Sequence, residues 1–335
     1  MNYRAGVYGG QGSVYIEERE LPPCGPKDII VKNIYTGICG SDIDIFKHGP
    51  GAHFYKPGHE FGHEMVSIIV EVGLEVKDLR VGQRVYPFGV FAKSRSIGGI
   101  SGFSEYMHLP EAKAGYGIIS VPDEIGDKVA ALIEPFQIGT KAARLGEPKE
   151  GKGAVVFGAG IIGITAAFAL KEMGCKEVMV CDIVDNRLVV AKDFGFAVCN
   201  TASEDLREKG KQVFGENKMA GKDAFNADIW IDATGVKAVP ETFQKVAKFG
   251  AVLVVVGVHG EPRPIDLKLI TYSQHRIQGS AGYDHVDLPI IFQILKKYNQ
   301  KLERLITHEY CHADLQEAIT KACKSDEAMK VVIKF

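Results

Sequence analysis

The stretch that decides the fold is AVVFGAGIIGITAAFALKEMG, residues 154–174. AVVF is an apolar, largely β-branched run of strand length, and IIGITAAFALKEM reads as a helix that Gly174 ends. Between them, Gly158-Ala-Gly160-Ile-Ile-Gly163 is a G-x-G-x-x-G set directly after a strand and opening a helix, as a dinucleotide fingerprint requires. In a chain with 38 glycines such a hexamer also arises by chance, so the strand–turn–helix setting carries the argument. Gly158 permits a tight turn, Gly160 lets a pyrophosphate approach the backbone, and Gly163 lets helix and strand pack closely. The helix N-terminus adds N–H donors and a positive dipole end. EVMVCD (177–182) follows as a strand ending in Asp182, where a carboxylate accepts hydrogen bonds from ribose hydroxyls and repels a 2′-phosphate. The expected cofactor is NAD, held by Gly158, Gly160, Ile161, Ile162, Gly163, Asp182 and Arg187. The competing interpretation is a structural glycine turn with an Asp cap.

Working outward, NRLVVAKDFG (186–195) reads as a second helix, and ADIWIDATG (227–235) and GAVLVVVG (250–257) as further strands. This alternation implies a doubly wound parallel sheet with crossover helices, an α/β Rossmann domain. The first third differs. DIIVKNIYTGI (28–38), MVSIIVEVG (65–73) and GQRVYPFGVF (82–91) are short β-like runs punctuated by Gly and Pro, as in an irregular antiparallel body. The tail returns to a mixed pattern, with a helix at LPIIFQILKKYN (288–299) and a closing strand at KVVIKF (330–335).

A chain of 335 residues accommodates two domains. Apolar residues make up 46% and the formal net charge is −2, so nothing draws the chain toward nucleic acid or an anionic membrane. The start MNYRAGVYGGQGS lacks a signal-peptide apolar core, and no run approaches 18 apolar residues, so a cytoplasmic location is expected. The seven cysteines form no C-x-x-C pair and read as mostly buried thiols in a reducing compartment.

YKPGHEFGHEMV (55–66) poses a choice. His59-Glu-Phe-Gly-His63 matches the H-E-x-x-H of zinc peptidases, which need a helix to set both histidines on one face. Pro57, Gly58 and Gly62 oppose a helix, and the strand-like SIIVEVG follows. The other reading is Gly62-His63-Glu64 together with Cys39, upstream in GICGSD (37–42). A thiolate, an imidazole and a carboxylate with an open fourth position suit a catalytic zinc.

The order GICGSD, GHEMVSIIVEVG, VGQRV, GGISGFSEY, IEPF and GAGIIG resembles that of the zinc-dependent medium-chain dehydrogenases over nearly the whole chain, with the sorbitol and other polyol dehydrogenases as the most similar branch. The resemblance implies a GroES-like, mainly-β catalytic domain over 1–135 and 283–335 and a Rossmann domain over 136–282. It favours His63 over His59, because the family histidine lies ten residues before the last Gly of V-x-E-V-G, here Gly73. It implies Cys39, His63 and Glu64 as zinc ligands or near ligands, and Glu134 of IEPF as a further one. Bland alternatives stand beside these: Cys39 as a buried thiol, Glu64 as an orienter of a ligand, and Glu134 as a helix-surface charge.

By the same resemblance a secondary alcohol binds zinc, its pKa falls, and hydride passes to NAD to leave a ketone. Ser41 relays the proton outward to Asp44 or His48, unless Ser41 and Asp42 merely cap a helix. A polyol, sugar or cyclitol substrate is favoured by the metal-site pattern alone. The cysteine-free interval YPFGVFAKSRSIGGIS (86–101) implies one catalytic zinc and no structural zinc. Ser67 stands where relatives usually have Gly. Phe46, Phe88 and Phe91 line a cleft or simply fill cores. The resemblance also implies a homodimer or homotetramer. The alternative functions are an NAD-binding metabolite-sensing regulator without turnover, a zinc-free quinone reductase and an H-E-x-x-H peptidase.

Overall fold

A computed structural model describes residues 1–51, 55–88, 94–95, 99–219 and 222–335. Its contacts divide the chain into one unit of Met1–Glu134 with Tyr298–Phe335, and a second of Pro135–Lys297.

The first unit is mainly β. Strands β1 (Asn2–Gly10) and β2 (Ser13–Glu20) form an antiparallel hairpin. The larger sheet is built on β3 (Ile29–Gly37), β4 (Glu64–Val72), β5 (Arg84–Pro87), β6 (Tyr106–Leu109), β7 (Lys113–Ala114) and β8 (Gly117–Ser120). β3 is its centre: β-branched Ile29, Ile30 and Val31 are fully or almost fully buried, and the strand pairs with both β4 and β6. Ile29, Val31, Met65, Ile69, Val85, Met107 and Leu109 make one core. The short helices α1 (Gly40–His48) and α2 (Asp127–Ala130) and the start of α3 (Ile133–Leu145) join this unit.

The second unit is α/β. Strands β9 (Gly153–Phe157), β10 (Glu177–Asp182) and β11 (Ala197–Asn200) run outward one way; a hairpin of β12 (Glu216–Met219) and β13 (Lys222–Phe225) intervenes. Then β14 (Ile229–Asp232), β15 (Val252–Val255) and β16 (Arg276–Gly279) run outward the other way. The order β11-β10-β9-β14-β15-β16 is parallel throughout, so the topology reverses between β9 and β14. Ligands of such sheets bind at the carboxyl end of this switch point. Every residue of β9 is buried, as expected of a strand covered on both faces. Helix α4 (Ile161–Glu172) links β9 to β10, and α5 (Asp185–Asp193) links β10 to β11. Trp230, the chain's single tryptophan, is fully buried and stacks on Phe157 and Phe225 with centroids 5.7 and 5.2 Å away.

Strand β17 (Ile306–Cys311) and the closing β18 (Lys330–Lys334) return to the first unit, where β18 pairs with β3. By their contacts, residues 283–297 group with the second unit. Arg144 Nη2 reaches Asp284 at 2.5 Å and its Nε reaches Asp287 at 2.7 Å, while Lys297 meets Glu172 at 2.7 Å. Among the described residues, no helix is long and apolar enough to cross a membrane.

Candidate functional site

Ladder register assembles the metal-site candidates. Gly37 on β3 pairs with Glu64 on β4, so Cys39 leaves one strand where His63 enters the other. A Cβ on Gly37 would lie 2.1 Å from Glu64 Oε2, so a larger residue there would displace the Glu64 carboxylate. Donor atoms of Cys39, His63 and Glu64 all lie within 4.8 Å of one another, and among the described residues they are the one His, Cys, Asp or Glu group so arranged. His59 is outside it. His59 follows the turn at Pro57 and Gly58, Gly62 has φ +93°, and residues 59–63 form no helix, which removes the geometric basis of H-E-x-x-H.

Cys39 is the N-cap of α1, and the buried Asp42 carboxylate accepts its backbone N–H at 2.9 Å. The other Asp42 oxygen lies 3.7 Å from His63 Nδ1. Asp42 therefore does cap the helix, as the plainer reading held, and it also faces the imidazole. Desolvation alone would lower the His63 pKa, but Asp42, followed by the Cys39 thiolate, outweighs it and holds the ring well above its ordinary value.

Glu64 is 1% exposed at its side chain, and its Oε2 takes an ion pair of 2.5 Å from Lys330 Nζ, itself 2% exposed. Lys330 also donates to the Ile38 carbonyl at 2.9 Å. Glu134, in the first turn of α3, is buried rather than on the helix surface. Burial pushes its carboxyl up to about 7; the nearby His63 opposes this and Glu64 adds to it. Four groups able to carry negative charge, Cys39, Asp42, Glu64 and Glu134, thus meet two basic ones, His63 and Lys330, a set that suits a cation.

Ser41, Asp44 and His48 fall at i, i+3 and i+7 on α1, one stripe of the helix, with Asp44 and His48 exposed. Ser67 is buried and donates to Asn33 Oδ1 at 2.6 Å. The Asn33 amide in turn binds the carbonyls of Ser101, Gly102 and Ser104, so the unusual hydroxyl anchors a loop that pairs with Phe61 and Gly62. Phe88 is core, stacked on Tyr86, and Phe46 packs against the cluster of Tyr8, Ile45 and Phe61. Phe91 lies outside the described residues.

In the second unit, the glycine turn closes on itself as the fingerprint demands. Gly158 has φ +99°, and a Cβ on Gly163 would lie 1.7 Å from the Gly158 carbonyl. Gly160 is the N-cap of α4, and a Cβ there would meet only Arg187 Nη1, at 3.5 Å. Ile161 and Ile162 open the helix, partly exposed. Asp182 Oδ2 accepts the Ala159 N–H at 2.6 Å and Oδ1 those of Ile183 and Val184 at 2.7 and 3.0 Å. The expected ribose carboxylate is thereby clamped to the turn it would serve.

Comparison with known proteins agrees with this architecture. Residues 25–123 match the family model for the alcohol dehydrogenase GroES-like domain, and residues 162–297 that for zinc-binding dehydrogenases. The chain is 31% identical over 330 residues to the starvation-sensing protein RspB of Escherichia coli K12, covering 91% of each. It is 28% identical to sorbitol dehydrogenase of Rattus norvegicus, over 98% of this chain and 94% of the relative. The crystal structure of an alcohol dehydrogenase (rspB) from Escherichia coli CFT073, complexed with NADH, superposes with a TM-score of 0.83 at 26% identity, covering 100% of this chain and 99% of that one. On this evidence, the chain belongs to the zinc-dependent medium-chain dehydrogenases, in their polyol dehydrogenase branch.

Proposed function

We propose that this protein oxidises a secondary alcohol, of the polyol, sugar or cyclitol class, to a ketone with one catalytic zinc and NAD. The observation that carries the reading is the Cys39–His63–Glu64 donor set, with the buried carboxyl groups of Asp42 and Glu134 close to it. A tetrahedral zinc with bonds of 2.0–2.3 Å separates its ligand atoms by roughly 3.6 Å, within reach of a set spanning at most 4.8 Å. Cys39 and His63 would hold the metal, with Glu64 Oε1 and Glu134 as carboxylate donors, since Glu64 Oε2 is engaged by Lys330. Bound zinc supplies Lewis acidity toward an alcohol oxygen, and bound NAD supplies the two-electron oxidant.

The chain's own residues supply the rest. Asp42 sets a carboxylate oxygen 3.7 Å from His63 Nδ1 and fixes the Cys39 backbone. Lys330 holds Glu64 in one position. Ser41 takes the substrate proton, and the exposed stripe of Asp44 and His48 passes it to water. Gly158, Gly160, Ile161, Ile162 and Gly163 leave room for a pyrophosphate at the N-terminus of α4. Asp182 selects NAD over NADP by repelling a 2′-phosphate, while the Arg187 guanidinium beside Gly160 offers a cation to the pyrophosphate.

Self-association is also part of this reading, as a dimer or tetramer. All four residues of β16 are exposed at an edge of the parallel sheet, an open ladder that a second copy can extend. Seven free cysteines accord with a reducing cytoplasm.

The test is NADH formation at 340 nm over a panel of polyols, cyclitols and simple secondary alcohols. Turnover that needs both zinc and NAD, and exceeds that with NADP, is expected. Zinc and dinucleotide bound without turnover of any alcohol would replace the reading with that of a metabolite sensor.

A further inference from the structure

Two of the seven cysteines stand side by side. Cys181 on β10 and Cys199 on β11 are register partners in the parallel sheet. Both are at most 1% exposed and belong to one core cluster, so their side chains leave the same face of the sheet. Their thiols lie within hydrogen-bonding reach of each other. Neither has a part in the dehydrogenase chemistry above. We propose that Cys181 and Cys199 form a reversible disulfide that weakens dinucleotide binding at the adjoining turn, an inference that rests on the NAD reading of that turn.

The geometry admits the bond and keeps it labile. Neighbouring strands run about 4.7–4.9 Å apart, inside the Cα separation of roughly 4.4–6.8 Å that disulfides span. In-register side chains of parallel strands also start at about the strand spacing, wider than the roughly 3.8 Å between Cβ atoms of a relaxed disulfide. Closing the bridge therefore draws the strand ends together, and strained disulfides are the easily reduced, regulatory ones. Access comes from the sheet's margin. β11 is a four-residue edge strand, both cysteines are the penultimate residues of their strands, and the following loops expose Ile183 and Thr201. Local fraying of such an edge is an ordinary low-energy opening.

What the bridge would pull on is the cofactor turn. The Cys181 carbonyl accepts the Gly158 N–H at 2.8 Å. Asp182, the next residue, holds Ala159 N at 2.6 Å and pairs in register with Asn200, the residue after Cys199. Asn200 donates to Asp185 at 2.6 Å. Drawing positions 181 and 199 together shifts the Asp182 carboxylate and the glycine turn at once.

With hydrogen peroxide as oxidant, the Cys199 thiolate attacks one peroxide oxygen and expels hydroxide, giving a sulfenic acid. Cys181 within hydrogen-bonding reach holds the Cys199 thiol below its ordinary pKa, which favours this order. The Cys181 sulfur then displaces water from the sulfenic sulfur and its proton leaves with that water. Two thiols are oxidised, and one peroxide is reduced to two waters.

The experiment treats native protein with peroxide, maps cross-linked peptides by mass spectrometry, and titrates NADH against oxidised and re-reduced samples. The expected result is a Cys181–Cys199 peptide lighter by two hydrogens. The NADH Kd should rise about tenfold, as for one lost charge-assisted contact, and thiol reductant should restore it. C199S should bind NADH like the reduced wild type and ignore the oxidant. Absence of the 181–199 linkage, or linkage with an unchanged Kd, overturns the proposal. A reduced protein that binds no dinucleotide would remove the NAD reading itself, and the switch with it.

Discussion

Lys330→Met should be among the most damaging single changes in the first unit, although Lys330 is proposed to touch neither metal nor substrate. The Lys330–Glu64 pair is 2.5 Å long with side-chain exposures of 2% and 1%. Removing the cation strands a carboxylate beside Cys39, Asp42 and Glu134 and leaves the Ile38 carbonyl without its donor. Breaking a buried pair from one side costs about 3–5 kcal/mol, because the remaining charge has neither water nor partner. Lys330→Met with Glu64→Gln removes both charges, so most of that loss should return, giving a coupling of about 3 kcal/mol or more. Lys27→Met with Glu75→Gln is the control, because that pair is 3.9 Å apart and more than half exposed on both sides. Its coupling should stay below about 1 kcal/mol. Calorimetry on chelator-treated protein is the assay, since bound metal adds its own stabilisation. A metal-free Lys330→Met that loses less than about 1 kcal/mol, or a double variant as damaged as the sum of its singles, would refute the claim that this charge is desolvated.

Gly163→Ala places a methyl group 1.7 Å from the Gly158 carbonyl, so α4 must move off β9. NADH binding should vanish, with a shift in the emission of Trp230, the sole tryptophan and a core residue of the same unit. Asp182→Ala removes the acceptor of three backbone N–H groups, at roughly 1 kcal/mol each in a partly exposed setting, and should narrow the preference for NADH over NADPH. Paired titrations with the two dinucleotides check it, and an unchanged ratio would remove Asp182 from cofactor selection. Acid should destabilise the fold from about pH 6.5 downward. Desolvation holds His108, His275 and His312 below the 6.5 of a free imidazole, so over that range the unfolded chain binds three protons the folded one refuses, against one that folding takes up at Glu134, raised to about 7. Melting temperature should fall between pH 7 and 5, and by less in His312→Asn.

The second unit was the more legible in the sequence, because a parallel sheet buried on both faces writes continuous apolar runs such as AVVF and VLVV. The fingerprint then marked where β9 gives way to α4. The metal loop was legible through glycine: Gly58 and Gly62, both at positive φ, exclude the helix that H-E-x-x-H needs. Lys330 was not legible. A lysine opening KVVIKF reads as a solvated strand end, and only the pairing of β18 with β3 carries it under Ile38 to Glu64. Asp42 was visible as a capping residue, but its approach to His63 depends on the β3–β4 register, a long-range contact that local pattern does not encode. The grouping of residues 283–297 with the second unit is likewise carried by contacts between distant positions, the ion pairs of Arg144 and Lys297 among them.

The most direct test of the central claim is zinc content per chain in the purified wild type and in Cys39→Ala, measured on samples shown to be folded. About one zinc is expected in the wild type and almost none in the variant, because a three-residue ligand set loses its thiolate. Full zinc retained without Cys39 would contradict this, and would place the metal at donors other than the Cys39–His63–Glu64 set.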